Sequence, residues 1–182
     1  MAKIIYKEGM EGQNKLSCIE GIEIGLLNGQ RALIFPKYSE EKLLRDEQID
    51  KWNARALSEI EALKVEDTIS ETVALFNLGS PAANWVLLFV TNDRRQFSLP
   101  SLLAAMEIQH QKEEIDALAE TIEGADLLRD FTSSVWSCSR TSLNGVWFAS
   151  GGYVYAGSSV NGGGMGSACL AVPTILYREE EI

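Results

Sequence analysis

The sequence predicts an α+β protein, with helices in its front half and a small antiparallel sheet at its back. Apolar residues recur at spacings of three or four over most of residues 40–122, which is typical of amphipathic helices. Short apolar runs separated by glycine-containing turns follow from residue 135. Residues 141–177 contain no charged residue and no histidine, although the chain has a net charge of −10. The charged and the uncharged parts of the chain are therefore expected to differ in role.

The first element predicted is a β-hairpin over residues 22–36. Two apolar runs flank Asn28 and Gly29, and both of these residues tolerate the positive φ of a type I′ turn. Pro36 is expected to end the second strand because proline cannot donate a backbone hydrogen bond.

Helices are predicted next. Ser39 resembles an N-cap followed by acidic residues, and the apolar spacing predicts one or two helices over 40–64. Asp67 or Ser70 is expected to begin another helix, which the Leu-Gly-Ser-Pro sequence at 78–81 ends.

Residues 85–90 form a six-residue apolar run, which we interpret as a buried strand because of its length and composition. A further helix is expected to begin within 98–101 and to continue to about residue 122, with Gly124 just after its end.

The pattern of the C-terminal part of the sequence predicts short strands at 135–139, 146–149, 152–156 and 170–177. The intervening turns are predicted at 143–145, 151–152 and 160–166. These strands account for the predicted antiparallel sheet.

The length of 182 residues fits one domain, or one domain with a structured arm. With 16 basic and 26 acidic residues, the chain is a poor candidate for nucleic-acid binding, which depends on Lys and Arg. No run of about 18 apolar residues occurs, so no membrane insertion is expected. The first residues do not resemble a secretory signal, which predicts a cytoplasmic protein, a component of a particle assembled there such as a phage, or a chain expressed without its leader.

The usual catalytic and metal motifs are missing from the sequence. A single histidine, His110, lies among polar residues and is expected to be exposed to solvent. Glu113 and Glu114 are adjacent on a predicted helix and point in different directions, so they are not expected to form a catalytic pair. Calcium binding is disfavoured because the uncharged stretch offers no carboxylate.

A family resemblance rests on several motifs in the last 80 or so residues. In order, they are Phe-Ser-Leu-Pro-Ser-Leu at 97–102, Ile-Asp-Ala-Leu at 115–118, Ile-Glu-Gly-Ala-Asp-Leu at 122–127, Val-Trp-Ser-Cys-Ser at 135–139, Val-Trp-Phe at 146–148, Gly-Tyr-Val-Tyr at 152–155 and Leu-Ala-Val-Pro at 170–173. In this order and spacing they resemble C-type-lectin-like domains of the Lcl C-terminal and Fibrobacter major-domain types. Variable proteins of diversity-generating retroelements, including phage tropism determinants, are related to these domains. The chain departs from the family pattern at Cys138 within the Trp-Ser-Ser element and at Ala171, where the family has arginine.

The resemblance implies a ligand-binding or adhesion protein rather than an enzyme, with a C-type-lectin-like fold at residues 21–182 after an N-terminal arm at 1–20. Residues 141–168 correspond to the region that displays variable residues in the diversified members. Tyr, Ser, Gly and Asn prevail there, as they do in antibody paratopes. The expected ligand contacts are Thr141, Ser142, Asn144, Tyr153, Tyr155, Ser158, Ser159 and Asn161. The expected partner is a protein or glycan on a cell surface, bound without a metal or cofactor, and the protein is expected to form a homo-oligomer or attach to a virion.

Alternative interpretations remain open at this point. The uncharged stretch is also consistent with a β-rich edge whose glycines serve turns, and Trp136 and Trp147 are expected to be core residues. Cys138 and Cys169 are expected to be buried free thiols, yet related formylglycine-generating enzymes suggest a thiol oxidase as an alternative. The remaining alternative is a structural virion subunit without a variable ligand.

Overall fold

The computed structural model describes residues 1–43, 59–89, 91, 95–131, 134–140, 145–150, 153–158 and 168–178. The strands are β1 (Lys3–Tyr6), β2 (Ile19–Leu27), β3 (Gln30–Ile34), β4 (Ser39–Lys42), β5 (Ser134–Arg140), β6 (Gly145–Ser150), β7 (Tyr153–Ser158), β8 (Ala168–Ala171) and β9 (Thr174–Tyr177). The α-helices in these ranges are α1 (Glu59–Leu63), α2 (Thr68–Asn77), α3 (Pro81–Leu88), α4 (Leu102–His110) and α5 (Lys112–Ala119). Helices and largely antiparallel sheets occur together, which confirms the predicted α+β class.

The first sheet has the strand order β1-β2-β3-β9, and each neighbouring pair is antiparallel. Its centre is the predicted hairpin, whose turn residues Asn28 and Gly29 have φ values of 50° and 78°. These positive values fit the type I′ turn expected from the sequence. Residues 1–20, expected to be an arm, contribute strand β1 at the edge of this sheet.

The second sheet has the order β4-β8-β5-β6-β7, with only β5 and β8 parallel among its neighbouring pairs. The prediction of a helix beginning at Ser39 is wrong for its first residues, because residues 39–42 form strand β4. Glu40 lies opposite Leu170 and Glu41 opposite Cys169 in the ladder with β8. Pairing with a strand distant in sequence overrides the local helix-start signal.

The single strand predicted over 170–177 is two strands in different sheets. β8 belongs to the second sheet and β9 to the first, with Val172 and Pro173 between them. Pro173 has no N–H to donate to a ladder, so the chain changes sheets at the residue least able to continue one.

The strand predicted over 85–90 is also wrong, since its described residues belong largely to helix α3. Ser80 caps this helix by accepting from the backbone N–H of Ala83 at 3.1 Å, and Pro81 occupies its first turn. Both residue types favour a helix start. Phe89, just after the helix, packs against Phe35 at a ring-centroid distance of 5.5 Å.

The starts of α2 and α4 follow the sequence prediction. Asp67 caps α2 by accepting from the backbone N–H of Ser70, and Ser101 caps α4 in the same way through Ala104. The long helix expected to reach residue 122 is divided at Gln111 into α4 and α5, and α5 ends at Ala119. Gly124, predicted to follow the helix, has a φ of 87°.

Buried side chains from both sheets and from α2 to α5 form one contiguous apolar cluster. A few apolar side chains remain exposed instead, among them Ile69, Val73 and Phe76 along one side of α2. None of the helices in the described ranges has the length and apolar character needed to cross a membrane.

Candidate functional site

The predicted ligand-contacting region includes β7, an edge strand of the second sheet, and its neighbour β6. Both β5 and β7 pair antiparallel with β6, so they run in the same direction and end at the same end of the sheet. At this end Arg140 lies opposite Val146, and Gly145 lies opposite Ser158. The connections 141–144 and 159–167 therefore both leave the sheet from this end.

Three of the predicted contacts lie in β7, at different distances from this end of the sheet. Ser158 is the last residue of β7 and lies at this end. Tyr153 is the first residue of β7 and lies opposite Ser150 at the other end of the strand, and Tyr155 lies between them opposite Phe148. Tyr153 and Tyr155 occupy alternate positions of one strand, and such positions share a face of the sheet. The remaining predicted contacts lie outside the described residues: Thr141, Ser142, Asn144, Ser159 and Asn161.

The sequence prediction missed one feature of this end of the sheet. Arg140 terminates β5 directly before the uncharged connection, so a cationic residue occupies the same end as Ser158. The uncharged sequence that follows residue 140 gives no indication of it. Only the strand register reveals that the two are at the same end.

The supporting strand β5 is fixed within the core by Trp136. Its side chain is fully buried, and its indole Nε1–H donates to the backbone carbonyl of Glu41 in β4 at 2.8 Å. This confirms the prediction that Trp136 is a core residue; the side chain of Trp147 lies outside what the structure describes. Strands β6 and β7 are thus paired, through β6, with a strand that is itself packed in the core and hydrogen-bonded to β4.

The cysteines are buried and free, as expected. Val135 of β5 lies opposite Leu170 of β8 in a parallel pair. Cys138 follows Val135 by three residues and Cys169 precedes Leu170 by one, so the two cysteines are displaced by about 13 Å along the strands. Disulfide formation requires Cα atoms within about 7 Å, so the register does not bring these thiols together.

Burial also suppresses the reactivity of the two thiols. Desolvation raises the pKa of Cys138 to about 12 and that of Cys169 to about 12, from a usual value of 9.0. Side-chain hydrogen bonds with Ser139 for Cys138 and with Ser134 for Cys169 lower these pKa values only in part. The thiolate is the reactive form, so neither residue is prepared for nucleophilic or redox chemistry.

We expect a Cys18→Ser variant to show no reaction with dithiobis(nitrobenzoate) near neutral pH while it is folded, and to react at both remaining thiols once unfolded. Both thiols hold their protons more strongly in the folded protein, so their contribution to stability is complete below the unfolded pKa of 9.0. It is lost as the pH rises from there toward 12. Rapid reaction of either thiol in the folded variant would contradict this account.

The acidic residues and the histidine were also considered as possible metal ligands in the described part of the chain. Within the described ranges, no group of three or more His, Cys, Asp or Glu residues is placed to hold a metal ion. His110 is exposed at the end of α4, as predicted. The buried Asp116 is satisfied instead by the backbone N–H groups of Leu128 and Arg129, at 2.6 and 3.0 Å. This carboxylate therefore has a structural role.

Comparison with known proteins finds no matching family model, no matching curated protein and no matching solved structure.

Proposed function

We propose that this protein is a non-enzymatic ligand-binding protein that displays residues 141–168 from a C-type-lectin-like scaffold. The supporting observation is that the two connections carrying most of the predicted contacts leave the second sheet from the same end. Segments that begin side by side are able to form one contact surface, as loops on a rigid sandwich do.

The chemistry of this region supports binding by stacking and hydrogen bonding. Tyr153 and Tyr155 provide rigid, amphipathic contact area, and the neighbouring Ser, Asn and Gly residues provide adaptable polar contacts. The ligand we propose is a protein or glycan on a cell surface. The acidic remainder of the chain serves as scaffold, and it provides the surface for attachment to a virion or for assembly of a homo-oligomer.

The thiol-oxidase alternative has less support than display. It requires the sulfurs of Cys138 and Cys169 to lie close together in an open cleft, and the strand register separates these residues. Burial keeps both thiols protonated as well.

The virion-subunit alternative is tested by light scattering. A stable trimer or larger assembly of the purified chain favours a structural particle component. A monomer favours a separate ligand-binding protein.

The retroelement form of the proposal is tested in the encoding DNA. We expect a nearby, nearly identical copy of the codons for about residues 135–174, differing from them only at adenines. Such a copy would establish diversification of the display region. Its absence would restrict the proposal to an adhesin-type binding domain whose contact residues are constant.

A further inference from the structure

A cleft of about 680 Å³ lies over the outer face of the first sheet. Ile5 of β1, Leu33 of β3 and Ile175 of β9 contribute to its wall. Leu33 is only 2% exposed, yet it does not belong to the main apolar cluster, whereas its neighbours Ala32 and Ile34 do. Successive side chains of a strand point to opposite faces of the sheet. The outer face therefore has an apolar surface beneath the cleft.

Gly21 of β2 is the small residue in the middle of this surface. It lies opposite Ile5 of β1 in the ladder. A Cβ atom on Gly21 would approach Leu33 Cγ to 2.9 Å, so the side chain of Leu33 occupies the space beside this glycine. Ile175 lies opposite Leu33 and extends the surface to β9. The base of the cleft is thus apolar across the sheet.

Two tyrosines, Tyr6 and Tyr177, also line the cleft. The hydroxyl of Tyr6 donates to Asn14 Oδ1 at 2.5 Å, and the hydroxyl of Tyr177 donates to Glu23 Oε2 at 3.4 Å. Both hydroxyl protons are therefore bound by protein acceptors, so the tyrosines offer a ligand their rings rather than a hydrogen-bond donor. The π faces of aromatic rings attract cations.

The charged side chains that line the cleft are two carboxylates and one guanidinium. Arg95 forms an ion pair with Glu20. Glu8 is exposed, and it forms no ion pair with any residue in the part of the chain that the structure describes. The lining therefore carries one negative charge in excess.

Other cations of the outer face are paired outside the cleft. Lys3 Nζ and Arg31 Nη1 lie 3.4 and 2.9 Å from Glu23 Oε1, and none of these three residues lines the cleft. An anionic ligand would have to compete with Glu20 for Arg95, the lining residue with a positive charge. A cationic ligand meets Glu8 without disrupting an ion pair.

We propose that this cleft binds a small organic cation with an apolar body, such as a primary amine attached to an aromatic ring. The apolar body packs on Ile5, Leu33 and Ile175, and the ammonium group lies near Glu8 and the tyrosine rings. Small-molecule sites of this volume are typically lined by apolar and aromatic side chains, with a few polar groups that determine the orientation of the ligand.

The cleft belongs to the first sheet, whereas residues 141–168 extend from the second. It is therefore a second binding site, and it does not rest on the proposed display function. Loss of amine binding and loss of binding to cells are separate results.

A titration of the isotope-labelled full-length chain, followed by nuclear magnetic resonance, tests the proposal with three probes of similar size. Phenethylamine is cationic, phenethyl alcohol is neutral and phenylacetate is anionic. We expect phenethylamine to shift the backbone amide signals of Ile5, Leu33 and Ile175 in a saturable way. The dissociation constant of phenethyl alcohol should be at least about threefold higher, since it lacks the charge that interacts with Glu8 and the rings. Phenylacetate should bind more weakly still.

A Glu8→Gln variant tests the role of the charge, with Glu11→Gln as its matched control. Glu11 is also exposed and does not line the cleft. We expect Glu8→Gln to weaken phenethylamine binding by about threefold and to leave phenethyl alcohol binding unchanged. Glu11→Gln should leave the binding of both probes unchanged.

An Ile5→Trp variant tests the location, because the larger side chain fills part of the cleft. We expect it to lose binding of both probes while circular dichroism shows a folded chain. If Ile5→Trp does not fold, the two glutamate variants decide.

Three results would overturn the proposal. They are the absence of saturable shifts at the cleft residues, equal affinity for phenethylamine and phenethyl alcohol, and equal effects of Glu8→Gln and Glu11→Gln.

Discussion

Replacement of Trp136 by alanine is expected to lower the free energy of unfolding by about 3–5 kcal/mol. The indole is fully buried in β5, between β8 and β6, and no other fully buried side chain described is larger. Its removal leaves a cavity and also an unpaired carbonyl on Glu41, to which the indole N–H donates. The measurement is urea unfolding followed by far-ultraviolet circular dichroism, because the change removes a fluorophore.

Two matched variants separate the contributions of the indole. Trp136→Phe keeps an aromatic ring and loses the hydrogen bond to Glu41, so we expect a cost of about 1–2 kcal/mol. Leu26→Ala changes a side chain that is 66% exposed, and its expected effect is within about 0.5 kcal/mol. A Trp136→Ala cost as small as that of Leu26→Ala would show that β5 is not anchored in the core.

Replacement of Gly21 by alanine is expected to cost about 2–4 kcal/mol of unfolding free energy. Gly21 lies in β2 at a φ of +153°, and a Cβ atom there would approach the Ile34 carbonyl oxygen to 2.5 Å and Leu33 Cγ to 2.9 Å. The contact with Ile34 is to backbone, so β3 has to move for alanine to fit. Overpacking and backbone strain both contribute to the expected loss.

Gly25 provides the matched control in the same strand. Its φ is +131°, yet nothing lies within 4 Å of a Cβ atom built on it. Gly25→Ala therefore carries the backbone strain alone, about 1 kcal/mol. Thermal or urea unfolding of both variants measures the difference. Equal costs for the two substitutions would contradict the close approach of β2 and β3 at Gly21.

Local signals predicted those elements in which neighbouring residues decide the backbone. Asn28 and Gly29 determine the hairpin turn because they tolerate positive φ, and the structure has that turn. Asp67 and Ser101 accept backbone hydrogen bonds that no residue within the helix satisfies, so the starts of α2 and α4 were also predictable. In each case the determining interaction spans only a few residues.

Elements that depend on distant partners were predicted wrongly. Nothing in Ser39 to Lys42 indicates a strand until β8 lies beside it. Residues 85–88 illustrate a different problem, because a short apolar run is compatible with a buried strand or a buried helix. The Ser80–Pro81 pair, which the sequence analysis interprets only as a helix end, is also typical of a helix start. The division of 170–177 between two sheets required knowledge of which strands flank each half.

The candidate sites show the same limits. Composition alone identified residues 141–168 as distinctive, but only the register of β5, β6 and β7 shows that two of their connections begin at one end of a sheet.

The central claim is that the uncharged region binds a ligand through Tyr153 and Tyr155. The most direct measurement is flow cytometry of the fluorescently labelled protein on a panel of intact bacterial cells. We predict saturable binding to at least one cell type, weakened at least about tenfold in a folded Tyr153→Ala/Tyr155→Ala variant. Phe76→Ala, which changes an exposed aromatic side chain on α2, should bind like the wild type. No saturable binding to any cell, or equal binding by the double variant, would contradict the account.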